Sequence, residues 1–218
     1  MTNIFSNKIN SSIEPIKETA LWTALITPYD QQGDIDFDTL AEIANAQAAA
    51  NNGILLLGST GEGLALSTDE KRSIVDFICN LQLSTPIMVA VGGFDLEEQL
   101  RWIEECNAKS IDAYLLATPL YAKPGPIGQF NWFDTLLNVS EKPCMLYNVP
   151  SRSGAEIPVE TLQKLQSHRN CWALKEASGD LNKFLNYHLE CPDVEIFSGG
   201  EAMLPHRVSA GAKGIVSV

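Results

Sequence analysis

The 218-residue chain is 45% hydrophobic and 19% charged, enough apolar content for one globular domain with a full core and too ordered a composition for a low-complexity chain. Fifteen Lys and Arg against 27 Asp and Glu leave a formal charge of −12, which argues against nucleic acid and anionic membrane surfaces as partners. The five cysteines are widely spaced and odd in number, His168, His188 and His206 lack zinc-ligand spacing, and no run approaches the ~18 apolar residues of a membrane span. A reduced, cytoplasmic, metal-free protein is the expectation.

Residues 1–19 are polar and lack an apolar period, and read as a flexible leader, with order beginning near Thr19. From there short apolar runs alternate with amphipathic segments. A first strand over 20–26 stops at Thr27-Pro28, and helical spacing of Phe37, Leu40, Ile43 and Ala44 follows, closed by Asn52-Gly53. A second strand covers 54–58. Ser67 and Glu70 have the spacing of a capping box and open a helix through Gln82. Strand three covers 86–91, a helix 96–108, strand four 111–117, a helix 127–138 and strand five 143–147. Residues 148–154 read as a loop, 159–166 as a short helix, and the run from Cys171 as strand six, ending in Lys175. Helix 181–189, strand 194–197, helix 203–210 and a last strand over 214–218 complete the chain.

Near-continuous apolar strands, each followed by a helix, require a parallel sheet covered on its outer face. Doubly wound sheets share this alternation, but eight strands favour a (β/α)8 TIM barrel, in which function sits at the C-terminal strand ends. Those ends carry Thr27, Ser59, Thr60, Tyr147 and Lys175, with Tyr121 just past strand four.

A lysine closing a buried run either sends its ammonium to solvent or is used as a neutral amine. A neutral amine attacks a ketone, and the resulting Schiff base stores a carbanion equivalent as an enamine. Such chemistry needs a nearby proton carrier, and Tyr147 at the end of the adjacent strand is a candidate, with a plain core tyrosine as the alternative. Gly58-Ser59-Thr60-Gly61-Glu62 matches no phosphate loop and no serine-hydrolase elbow. It offers backbone N–H groups and two hydroxyls, a cradle for a small carboxylate.

Together with Thr118-Pro119-Leu120-Tyr121, Tyr147-Asn148-Val149-Pro150-Ser151-Arg152 and Leu174-Lys175-Glu176-Ala177-Ser178-Gly179, this loop resembles the signatures of the pyruvate-dependent class I aldolases, the family of dihydrodipicolinate synthase and N-acetylneuraminate lyase. The resemblance runs from about Leu21 to Val218. It implies a Schiff base between Lys175 and pyruvate with no cofactor. It also implies a proton relay of Tyr147, Ser59 and Tyr121, with Tyr121 entering a neighbouring subunit's site in a homodimer or homotetramer. Thr60 would hold the pyruvate carboxylate and Arg152 the carboxylate of L-aspartate 4-semialdehyde, with Gly61, Gly199 and Val216 as further substrate-binding residues. The reaction so implied is condensation of the two to 4-hydroxy-tetrahydrodipicolinate, on the route to diaminopimelate and lysine. The alternatives are another pyruvate aldolase, such as a lyase of N-acetylneuraminate or of 2-keto-3-deoxy sugar acids, and an inactive truncated barrel. Ser59 departs from the threonine of many synthases but keeps the hydroxyl. Thr68, Lys71, Phe94 and Leu120 replace the expected ligands of inhibitory lysine, leaving Glu98, so weak or absent feedback is expected.

Members of this family continue past strand eight with a last barrel helix and a C-terminal helical segment. The sequence is therefore expected to form a C-terminally truncated barrel over 20–218. An open apolar strip over strands eight and one, of ~300 Å², would correspond to about 7 kcal/mol at ~25 cal/mol per Å².

Overall fold

The computed structural model describes residues 15–218. Eight parallel strands close in sequence order into a barrel: β1 Leu21–Ala24, β2 Gly53–Leu56, β3 Ile87–Val91, β4 Ala113–Ala117, β5 Cys144–Asn148, β6 Cys171–Glu176, β7 Glu195–Ser198 and β8 Gly214–Ser217. The helices between them are α1 Phe37–Ala49, α2 Thr68–Asn80, α3 Leu96–Asn107, α4 Pro126–Val139, α5 Pro150–Ser153, α6 Val159–Leu165, α7 Leu181–Glu190 and α8 Leu204–Ser209. The sequence sets their starts. Asp36, Asp95 and Asp180 accept backbone N–H groups at the first turns of α1, α3 and α7, and Ser67 and Glu70 exchange both bonds of a capping box on α2.

Two apolar layers result. One lies between barrel and helices, and contains Ile54, Val89, Leu116, Leu146, Leu174 and Ile196. The other fills the barrel with Trp22, Leu55, Met88, Leu115, Met145, Trp172, Phe197 and Val216. Trp172 packs against Trp22 and Phe197 at ring-centroid distances of 6.1 and 5.6 Å.

Several boundaries differ from the sequence reading, each for a local reason. Residues 15–18 are helical rather than part of a polar leader. Ile16 is fully buried in the barrel-filling cluster, and the Thr19 hydroxyl bonds the Pro15 carbonyl at 2.9 Å; the rest of the proposed leader, 1–14, lies outside the described residues. Strand β2 stops at Leu56 because Leu57 adopts a left-handed φ of 60°. The expected loop over 148–154 contains α5, started by Pro150 and ended by Gly154 at φ 73°, a conformation that favours glycine. On the outer faces of β8 and β1, Leu21 is 39% exposed, but Ile215 is only 8% exposed and Thr23 and Ser217 are polar.

Candidate active site

Strand β6 is buried along its whole length, and its phase is set by an irregularity. Cys144 of β5 pairs with Cys171, but the next residue, Met145, pairs with Ala173. Trp172 is the extra residue. Trp172 and Ala173 both join the interior cluster while Leu174 joins the outer one. A bulge of this kind shifts every later side chain by one position. It turns Lys175 inward and Glu176 outward.

Lys175 is 7% exposed, and its Nζ sits 4.5 Å from the ring centroid of Tyr147, its register partner on β5. Burial, reinforced by the Arg152 guanidinium and opposed by the Glu201 carboxylate, brings its pKa down from 10.5 to about 8. Gly199 directly follows β7. A β carbon there would meet Lys175 Cε at 3.1 Å and Ala177 Cβ at 2.6 Å, so glycine leaves the space the lysine stem occupies. Burial raises the Tyr147 phenol, with the Arg152 guanidinium and the Ser59 hydroxyl acting against the rise.

Ser59 and Thr60 lie on the loop between β2 and α2. Glu62 has a left-handed φ of 54°, as Leu57 does, so residues other than glycine hold strained backbone on both sides of the two hydroxyls. The Thr27 hydroxyl anchors this loop to the end of β1 by donating to the Gly61 carbonyl at 2.7 Å. Arg152 is exposed on α5.

A cavity of about 760 Å³ has Ser59, Tyr147 and Arg152 on its wall and continues between α2 and α3 past Thr68, Lys71, Arg72, Glu98, Trp102 and Glu105, with Leu120 also lining it. Lys175 is not among its lining residues, although Tyr147 beside it is. Arg72 pairs with Glu105 at 2.6 Å in the helical wall.

Of the sequence-predicted site residues, Lys175, Tyr147, Ser59, Arg152 and Gly199 therefore converge. Thr60 and Gly61 stay on the neighbouring loop, and Val216 is buried in the barrel filling. Tyr121 stands apart. It is 93% exposed, with a left-handed φ of 65°. Two acidic groups were given no role in the sequence reading: Glu201, whose charge opposes the fall of the Lys175 pKa and which accepts from the Ser217 hydroxyl, and Glu176. Glu176 was visible as an acid next to Lys175 at the end of an apolar run; nothing in the sequence pointed to Glu201.

The sequence model of the dihydrodipicolinate synthetase family matches residues 17–218. The chain belongs to that family. Within the dihydrodipicolinate synthetase family, it is 50% identical over 198 residues to a 4-hydroxy-tetrahydrodipicolinate synthase of Francisella philomiragia, covering 91% of this chain and 67% of the relative. It is 44% identical to one of Wolbachia pipientis, covering 93% and 70%. Among solved structures, the dihydrodipicolinate synthase of Bacillus anthracis superposes with a TM-score of 0.88 at 29% identity, covering 92% of this chain and 70% of that one. The enzyme of Cyanidioschyzon merolae, solved with lysine bound, gives the same score and identity with 93% and 70% coverage. The chain thus spans about two thirds of the length of these synthases and shares their barrel.

Proposed function

We propose that this chain condenses pyruvate with L-aspartate 4-semialdehyde to give 4-hydroxy-tetrahydrodipicolinate and one water, through a Schiff base on Lys175. The observation that carries this reading is the lysine itself: buried, held over Tyr147, and with a pKa near 8, it presents free amine near neutral pH. Nζ adds to C2 of pyruvate, and loss of water gives the imine. Loss of a C3 proton gives the enamine, whose C3 bonds to the aldehyde carbon. The amino group of the second substrate then displaces Nζ, closing the ring and freeing the lysine.

Tyr147, buried and beside Ser59, carries protons to and from these intermediates. Thr60 and the loop N–H groups hold the pyruvate carboxylate, with Gly61, Gly199 and Val216 shaping its pocket. Arg152, at the cavity wall, takes the second carboxylate, for which a planar guanidinium is suited. The imine on Lys175 serves as the electron sink for loss of the C3 proton, so no cofactor is required. Tyr121, 93% exposed, suits a relay completed in a neighbouring copy, hence a homodimer or homotetramer. Five free thiols suit a cytoplasmic enzyme, and among the described residues no helix is long and apolar enough to cross a membrane. Lysine acts weakly: the cavity between α2 and α3 presents Lys71, a like charge, and Leu120 beside Glu98.

Incubation with pyruvate and borohydride, read by intact mass beside Lys175→Ala, tests this reading. A reduced pyruvyl adduct on the unsubstituted chain alone is expected; its absence on a folded chain overturns it.

A further inference from the structure

Behind Lys175 lies a buried ion pair that the imine chemistry above leaves without a role. Glu176 is 0% exposed. Its carboxylate accepts from Asn148 Nδ2 at 2.5 Å, from the Ser178 backbone N–H at 2.7 Å and from the Ser178 hydroxyl. Arg207 on α8 is 1% exposed. Its Nη1 donates to the Glu176 carbonyl at 2.7 Å and to Ser198 Oγ at 3.1 Å, and its Nη2 lies 3.6 Å from Glu176 Oε1. Among the described residues, Arg207 Nε and Nη2 make no hydrogen bond. A buried pair so incompletely satisfied contributes little to stability, and apolar replacements of such pairs are often neutral or better.

Its placement is more telling. The Glu176 carbonyl that Arg207 holds also accepts from Gly199 N–H at 2.8 Å, and Gly199 is the residue that leaves room for the Lys175 stem. The guanidinium therefore ties together the ends of β6 and β7 on either side of that stem.

We propose that Glu176 and Arg207 are positioning residues for Lys175, a charge-balanced clamp that fixes the strand ends around the amine and adds no net charge behind it. This deepens the imine reading of Lys175 and rests on it. The amine lies over Tyr147 from β5, and the charges of Arg152 from α5 and Glu201 after β7 act on it. Behind it stand Glu176 on its own strand and Arg207 from α8, with Asp180 at the start of α7 near Arg207. Removing either member of the clamp exposes Lys175 to the other's charge, and the two removals act in opposite directions.

The test measures initial rates of borohydride-trapped pyruvyl adduct between about pH 6 and about pH 10, which spans the lysine range, for the unsubstituted chain, R207M, E176Q and E176Q/R207M, with folding checked by circular dichroism. R207M leaves an unbalanced carboxylate, so its midpoint rises by about one pH unit and trapping at neutral pH slows about tenfold. E176Q leaves an unbalanced guanidinium and its midpoint falls. The double variant returns to the original midpoint but stays slow, because the strand ends are no longer held. A role in folding alone moves no midpoint. Folded R207M with an unchanged midpoint and rate overturns the proposal, as do single variants that shift in the same direction. Should R207M not fold, the near-isosteric E176Q decides: a fallen midpoint supports the clamp, and an unmoved one overturns it. Failure of the unsubstituted chain to trap pyruvate would instead overturn the assignment of Lys175.

Discussion

A lysine whose ammonium is desolvated inside a barrel is held there at a cost in stability, and replacing it by methionine should recover that cost. The folded pKa of about 8 against the ordinary 10.5 corresponds to about 3 kcal/mol at ~1.4 kcal/mol per pH unit. The pH dependence has a definite sign. Below pH 8 the lysine is protonated in both the folded and unfolded chain, and the whole penalty is present. Between 8 and 10.5 the unfolded chain binds the proton and the folded one does not, so stability rises with pH. Above that window the penalty is gone. Lys175→Met should therefore unfold later than the unsubstituted chain at neutral pH, by about 6–12 °C for a chain of this size, and the gap should close as pH approaches about 10.5. Thermal and urea unfolding of both proteins at neutral and alkaline pH measures this, and the difference between the two conditions separates the charge from the packing of the new side chain. A variant no more stable at neutral pH, or one with the same advantage at every pH, would refute the claim that Lys175 is desolvated.

Other perturbations of the site are expected to separate its parts. Gly199→Ala places a methyl group against the lysine stem at 3.1 Å and should slow imine formation by about tenfold or more, read by adduct trapping. Tyr147→Phe keeps the ring under Nζ but removes the hydroxyl, so kcat should fall by about 10²–10⁴, the range of lost general acid–base catalysis. Arg152→Ala should raise KM for the aldehyde far more than for pyruvate. It should also move the pH midpoint of adduct formation upward, since Arg152 is one of the groups holding the lysine pKa down. Lysine at sub-millimolar concentration should leave turnover nearly unchanged in a coupled assay.

The sequence made much of this barrel legible because its signals are local. Apolar runs such as Ile87–Val91 need no partner to be recognised as buried strands, and the Ser67/Glu70 box reports a helix start within four residues. Lys175 was visible for the same reason, as a charge at the end of an apolar run. What escaped depends on pairing between distant segments. The bulge at Trp172, without which strict alternation would turn Lys175 outward, exists only in the register of β6 against β5. Arg207 sits in a six-residue helix whose sequence reads as surface, and its burial follows from packing over the ends of β6 and β7. Ile16 lies in a stretch without a sustained apolar period, and is buried because the barrel interior accepts it. The roles given to Tyr121 and Arg152 came from family resemblance, since neither a tyrosine past a strand nor a loop arginine is distinctive by itself.

The most direct test of the central claim is the mass of the intact chain after pyruvate and borohydride, with peptide mapping of the modified residue. A single reduced pyruvyl group on Lys175 is expected, increasing as pH rises through about 8 and absent from Lys175→Ala. A folded chain that acquires no adduct, or one modified equally in the Lys175→Ala variant, would contradict it.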